Sequence, residues 1–258
     1  MYGIIYPKNW QALTQEYKIY KEAQANITDF ELLYILKNFF QLLAKKVKSR
    51  IGLAFSGGID SSVLAVLMME AGIDFLAITM CISDQHADSQ HAEIFKKSFK
   101  IEHQLEVPSK FEIAEAQDFM GGQDAVDFLL LNAFKKRNIS ASIHGDGIDE
   151  LLGGYAHHQY CLHASRLKSF ENSWAKLTPE HLMPLNRAAQ MAESQVILPF
   201  LNPKLVELIT TIEVNQRASD QQRKIPLKKI ARTLKIPDEI INRPKWGLNN
   251  ALSEKRGA

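Results

Sequence analysis

The stretch "IGLAFSGGIDSSVLAVLMMEAG", residues 51–72, decides how the rest of the chain is read. The apolar run from Ile51 has the character of a buried strand, and the pattern from Ser61 onward is that of a helix closed by Gly72. Between them lie Ser56, Gly57, Gly58, Asp60, Ser61 and Ser62. Glycines at such a turn let the backbone come close to a ligand, because they carry no side chain and tolerate positive φ. The N–H groups opening the helix then face an anion, helped by the helix dipole, and the serines add hydroxyl donors. Asp60 cannot bind phosphate directly, so its sensible role is to hold a cation that does. The lysine of the ordinary nucleoside-triphosphate loop is missing, which points to a polyphosphate with Mg²⁺ rather than to γ-phosphate transfer. Taken alone, the glycine pair reads equally well as a tight turn with an acid at a helix start.

Upstream, "TDFELLYILKNFFQLLAKKVKSR" reads as an amphipathic helix, with Thr28 and Glu31 forming a capping box. Downstream, "IDFLAITM", "EHQLEV" and "SASIHG" read as strands, alternating with helices over "DSQHAEIFKKSFK" and "AVDFLLLNAFKKRN". Such alternation argues for an α/β fold with a doubly wound, mostly parallel sheet, whose ligands bind beyond the carboxyl ends of the strands. A second glycine-acid cluster, "GDGIDELLGGY" from Gly145 to Tyr155, also follows a strand, so the two clusters should share one cleft. After Tyr155 the strand signals stop, and prolines at 179, 184, 199, 203, 226, 237 and 244 mark the ends of short helices. The expected organisation is an N-terminal helical segment (1–48), an α/β core (49–155) and a helical part (156–258) completing the acceptor site.

The 258 residues suffice for one large domain or two modest ones, and 46% hydrophobic with 23% charged residues is ordinary for a globular protein. Net charge is +2, and the basic clusters at Lys45–Arg50 and Arg223–Arg232 read as solvated helix faces, so charge demands no nucleic-acid partner. Cys81 and Cys161 form no C-x-x-C, which suggests neither a disulfide framework nor a cysteine zinc site. His157, His158, His163 and His181 lack the accompanying acids of a zinc enzyme. No signal peptide opens the sequence and no apolar run approaches the ~20 residues that span a bilayer, so a soluble, cytoplasmic protein is expected.

"FSGGIDSS" resembles the S-G-G-x-D-S signature of the N-type ATP pyrophosphatases, whose fold is adenine nucleotide α-hydrolase-like. "GDGIDELLGGY" resembles the G-[D/E]-G-x-D-E-x-x-G-G-Y segment in the synthetase domain of asparagine synthetase and its lactam-forming relatives. "LPFLNPKLVELI", "KIPLKK" and "LKIPDEIINRPKWGL" are similar to that family's P-F-L-D, K-x-x-L-R and L-P-x-x-I-x-x-R-x-K-x-G stretches, in family order from Ile51 to Leu248. The resemblance implies a carbon–nitrogen ligase. In this family a carboxylate attacks the α-phosphorus of ATP, pyrophosphate leaves, and ammonia or an amine attacks the acyl-adenylate to form an amide. It further implies that Ser56, Gly57, Gly58, Asp60, Ser61 and Ser62 cradle the pyrophosphate, that Asp60 and Asp149 hold Mg²⁺, and that Ala54 and Ile78 line the adenine. Gly145 would touch the nucleotide through its backbone, Lys224 would stabilise charge on the phosphates, and Asp146 would act as a base toward the amine. Glu150 counts with Lys224 and Asp146 among the catalytic residues, and Tyr155 completes the second motif with a structural part. Arg243 and Lys245 would contact phosphate or close the site, and Trp246 would border it, while Trp174 reads as packing.

Departures from the family pattern shape the remaining expectations. Tyr2 follows Met1 and only a short segment precedes the loop, so no glutaminase is expected within the chain. Its nitrogen would then come from ammonia, from an amine already on a substrate, or from a separate glutaminase subunit. Asp146 stands where the family often has Glu, or Tyr in lactam formers, and the chain stops soon after Gly247. The family's E-A-R-x-P-F-L-D reads "QVILPFLN", losing the acid at Gln195, the arginine at Ile197 and the aspartate at Asn202; if these shape the acceptor pocket, the acceptor need not be aspartate. An intramolecular lactam or macrocycle former and a non-catalytic nucleotide-binding module are the alternatives, and a homodimer is left open.

Overall fold

The computed structural model describes residues 1–21, 28–83, 85–120, 125–162 and 165–243. Strands Gly3–Tyr6 (β1), Ile51–Ala54 (β2), Phe75–Met80 (β3), His103–Glu106 (β4), Ala141–Ile143 (β5) and Gln195–Ile197 (β6) form one sheet in the order β1-β6-β5-β2-β3-β4. Every pairing is parallel.

β3 shows why both faces must be covered. All six of its residues are buried, the continuous apolar run of a strand with helices on either side. Phe75 and Ala77 join the larger core, whereas Leu76, Ile78 and Met80 pack with Val126, Leu130 and Phe134 of the helix Ala125–Lys135, the alternation that a period of two requires. In the larger core the helix Ile59–Glu70 is apolar nearly all round, with Val63, Leu64, Ala65 and Met68 fully buried. The helix Asp29–Lys46 starts as its capping box predicts, with the Thr28 N–H donating to Glu31 Oε2 at 2.9 Å.

The chain runs outward from β2 to β3 and β4, then returns to place β5 on the other side of β2, where Gly52 pairs with Ser142 and Leu53 with Ile143. The order therefore reverses between β2 and β5, and the crevice above their carboxyl ends is the expected ligand position. Each glycine-acid cluster leaves from one of these two strands.

Two expectations are corrected. Strand signals do not end at Tyr155, because β6 lies between β5 and β1, pairing Val196 with both Ser142 and Ile4. Nor is the segment 1–48 wholly helical, since β1 forms the sheet edge. Both strands run within two residues into a proline, Pro7 or Pro199, which reads as a segment boundary. The helices Trp10–Glu16 and Lys110–Met120 were also not foreseen. Among the described residues no helix is long and apolar enough to cross a membrane, and no group of three or more His, Cys, Asp or Glu is placed to hold a metal ion. Lys245, Trp246 and His163 lie outside the described residues.

Candidate active site

The first loop turns at Gly57, which has φ +67 and lies so close to the helix Ala87–Phe99 that an added Cβ would sit 2.4 Å from the Ala92 backbone nitrogen. Only glycine meets both conditions. The loop's serines brace the turn itself. Ser61 Oγ accepts the Ser56 N–H at 3.3 Å and donates to the Gly58 carbonyl at 3.2 Å, while Ser56 Oγ accepts the Gly58 N–H at 3.3 Å. Ser62 is fully buried, and its hydroxyl has no hydrogen-bond partner among the described residues. Asp60 stands in the first turn of the following helix.

The second loop follows β5 and runs into the short helix Ile148–Leu152, with Asp149 in its first turn. The two loops meet at Gly145, where an added Cβ would lie 3.6 Å from Asp60 Cβ. Asp146 is half-buried beside it. Lys224 arrives from far along the chain. Its Nζ donates to Asp60 Oδ1 at 2.7 Å and Oδ2 at 2.6 Å, and lies 2.6 Å from Asp149 Oδ1. Burial draws the Lys224 pKa down, but the carboxylates of Asp149 and Asp60 outweigh it and the net shift is upward. The ammonium therefore stays charged at neutral pH, as a buried lysine with two anionic partners should.

Backbone geometry imposes this placement. Lys224 has φ +52, rare for a residue with a side chain, immediately before the helix Ile225–Thr233. Its N–H donates to the Leu152 carbonyl at 3.2 Å. Gly154 leaves the necessary room: an added Cβ would fall 1.6 Å from Asp149 Oδ1 and 2.5 Å from Lys224 Cε.

A cavity of about 230 Å³ opens beside this triad, lined by Ser56, Gly58 and Asp60 together with Arg223, Lys224, Lys228 and Arg243. Burial, then Arg223 and Arg232, lowers the Lys228 pKa, and the four basic side chains in the lining favour a polyanion. Arg243 Nη1 donates to the Ser56 carbonyl at 2.6 Å, and its guanidinium pairs with the buried carboxylate of Asp88. It thereby ties the first loop to the helix Ala87–Phe99.

The remaining expected residues are placed less directly. Glu150 is buried and accepts the Tyr155 hydroxyl. Burial, with Glu150, Asp149 and Asp146 adding to it, pushes the Tyr155 phenol far upward, so it remains a donor. Ala54 and Ile78 are register partners on β2 and β3, Ala54 half-buried and Ile78 fully buried in the smaller core. Trp174 is buried and donates to the Tyr17 carbonyl at 2.7 Å. Gln195 and Ile197 belong to β6, and Asn202 caps the helix Pro203–Thr210 by accepting the Lys204 N–H at 3.0 Å. None of these three lines the cavity beside Lys224, so the departures from the family pattern fall on a strand and a helix cap.

Sequence reasoning missed Lys228, Asp88 and Arg217. Lys228 was foreseen only as part of a solvated face, although it falls one helical turn after Lys224, spacing that places both on one face. Arg217 is fully buried and donates to the carbonyls of Ile212, Thr210 and, at 3.3 Å, Leu151. It holds the second motif from behind, and burial lowers its pKa to about 9.

Residues 41–178 and 164–257 match the family described as Asparagine synthase. Among solved structures the chain is similar to NMN synthetase from Francisella tularensis, with 16% identity, a TM-score of 0.50, and coverage of 87% of this chain and 77% of that one. It is also similar to the NH3-dependent NAD synthetase from Campylobacter jejuni subsp. jejuni, with 15% identity, a TM-score of 0.37, and coverage of 93% and 99%. The first likeness concerns the fold. No curated protein matches by sequence.

Proposed function

Because the chain belongs to the asparagine synthase family, we propose that it is an ATP-dependent amide synthetase of the asparagine synthetase type, releasing AMP and pyrophosphate. The observation that carries this reading is the convergence of Asp60, Asp149 and Lys224 at the switch point of the sheet, beside a cavity with a basic lining.

A carboxylate oxygen of the acceptor attacks the α-phosphorus of ATP, and the bond to the oxygen bridging α and β breaks. Pyrophosphate leaves against the first loop, toward the N-terminus of the helix Ile59–Glu70, whose dipole favours an anion there. Lys224, Lys228 and Arg223 balance the charge that gathers on the leaving oxygens. Ammonia or an amine then attacks the acyl carbon, AMP departs, and Asp146 accepts the proton the nitrogen loses. Asp60 and Asp149 present hard oxygens to a single point, a donor set that suits Mg²⁺ sharing its shell with phosphate. When bound, the metal neutralises charge on the phosphates.

The test is ATP–pyrophosphate exchange in Mg²⁺ with a panel of carboxylic acids. Exchange that requires one acid, and falls on the order of 10²-fold in Lys224→Ala, supports the reading. Wild-type product rates in both Lys224→Ala and Asp60→Ala sink it. Product mass separates amidation from cyclisation.

A further inference from the structure

The position between the two acidic loops is filled by the chain itself. Nζ of Lys224 contacts both oxygens of Asp60 and one of Asp149, all at 2.6–2.7 Å. Divalent ions such as Mg²⁺ bond carboxylate oxygens at about 2.0–2.1 Å, so one bridging Asp60 and Asp149 needs the point that the ammonium holds. We propose that Lys224 is a built-in counter-cation that bars free divalent metal from Asp60 and Asp149, and that only a metal arriving with a polyphosphate displaces it.

Three features support this, given the ATP reading above on which it rests. First, the root of the lysine is anchored beside the two acids. Its backbone is fixed at φ +52 and bonded to the Leu152 carbonyl, and its stem lies against Gly154. Second, the space it would enter is lined by Arg223, Lys228 and Arg243, which repel an ammonium leaving its carboxylates. Third, a polyphosphate in that cavity reverses the balance, offering the displaced ammonium several anionic oxygens while its metal takes over the two carboxylates. Metal and polyanion therefore bind cooperatively, each making room for the other, and the exchange keeps one cation between the acids at every stage. Such coupling between two ligands commonly amounts to 5- to 150-fold in affinity.

The experiment titrates Mn²⁺, followed by its electron paramagnetic resonance, into the wild-type protein and Lys224→Met in buffer free of nucleotide and phosphate. Methionine keeps the apolar stem and removes the charge. Expected is weak binding by wild type and binding roughly 10- to 100-fold tighter by the variant. Equal affinity for free Mn²⁺ in the two proteins overturns the inference. A second titration uses the preformed complex of Mn²⁺ with α,β-methylene-ATP, which cannot be cleaved between α and β. If wild type binds this complex while both proteins bind free Mn²⁺ alike, the counter-cation role fails and the ATP reading stands. If the complex binds neither protein, the ATP reading fails and takes the inference with it. Should Lys224→Met not fold, melting of wild type decides. Mg²⁺ alone, against NaCl of matched ionic strength, must leave Tm unchanged, whereas Mg²⁺ with the analogue must raise it; a rise with Mg²⁺ alone overturns the inference.

Discussion

Replacing Gly154 by alanine adds one carbon where the triad leaves no space. Its Cβ would stand 1.6 Å from Asp149 Oδ1, 2.6 Å from Asp149 Cγ and 2.5 Å from Lys224 Cε. Restoring ordinary contact requires the Asp149 carboxylate to retreat by about 2 Å, given that carbon and its neighbours settle near 3.5–4.0 Å. Overpacking of this kind costs about 1–3 kcal/mol, and about 2–4 °C of Tm accompanies each kcal/mol in a chain of this size. The effect on chemistry should be larger, because a misplacement of about 1 Å can cost 10²-fold. Gly72→Ala is the matched control. Gly72 has φ +70 but nothing within 4 Å of an added Cβ, so alanine there incurs only the left-handed penalty of about 1–2 kcal/mol. Thermal melting and ATP–pyrophosphate exchange measured on both variants separate the two effects. Similar Tm losses are expected, with exchange lost only in Gly154→Ala. Wild-type exchange in Gly154→Ala would refute the steric reasoning, and equal loss in Gly72→Ala would show that exchange reports stability rather than site geometry.

Two further outcomes follow from charges the fold leaves in costly places. Lys228→Met should raise the Tm of the ligand-free protein, by relieving repulsion from Arg223 and Arg232. It should also weaken pyrophosphate binding by about tenfold, the worth of one charge-assisted hydrogen bond; calorimetry and melting check both signs, and a lower Tm would mark Lys228 as structural. His144 is buried against Ser142, with burial lowering its pKa from 6.5 to about 4. Between those values the unfolded chain binds more protons than the folded one, so stability falls as pH drops from 6.5 toward 4, by up to ~1.4 kcal/mol per pH unit. Urea melts across that window should show the slope in wild type and its loss in His144→Gln.

What the sequence disclosed, and what it hid, follows from how local each signal is. β2, β3 and the helix Ile59–Glu70 between them announce themselves because their apolar runs are continuous, with glycines at both ends of that helix. The two acidic loops were legible as neighbours because each follows a strand, and β2 and β5 do lie side by side. β1 and β6 were hidden because each runs within two residues into a proline that reads as a boundary. Asn202 read as a departure from an acid, yet capping a helix requires only a side-chain oxygen, which asparagine supplies as well as aspartate. Ile197 read as a lost guanidinium, but at 4% exposure within β6 its surroundings call for an apolar side chain.

Least legible was the enforcement of Lys224, which depends on contacts between segments far apart in sequence. Leu152 accepts its backbone N–H, Gly154 accepts Arg223 Nη1 at 3.1 Å, and the Gly154 N–H closes back on the Asp149 carbonyl at 2.8 Å. Arg217 anchors the same loop through Leu151. The "LLGGY" segment is thus shaped both by its turn and by what must lie against it: Gly153 turns at φ +72 against Phe170 and Ala218, and Gly154 leaves room for Asp149 and Lys224. Strain at a non-glycine φ of +52 costs of order 1–3 kcal/mol and persists only where its surroundings over-determine it. Here those surroundings are the Leu152 carbonyl, which holds the Lys224 N–H, the helix that starts at Ile225, and the two carboxylates that hold its side chain. Asp60, Asp149 and Lys224 share their partners, so no substitution at one of the three can be read as the removal of a single contact.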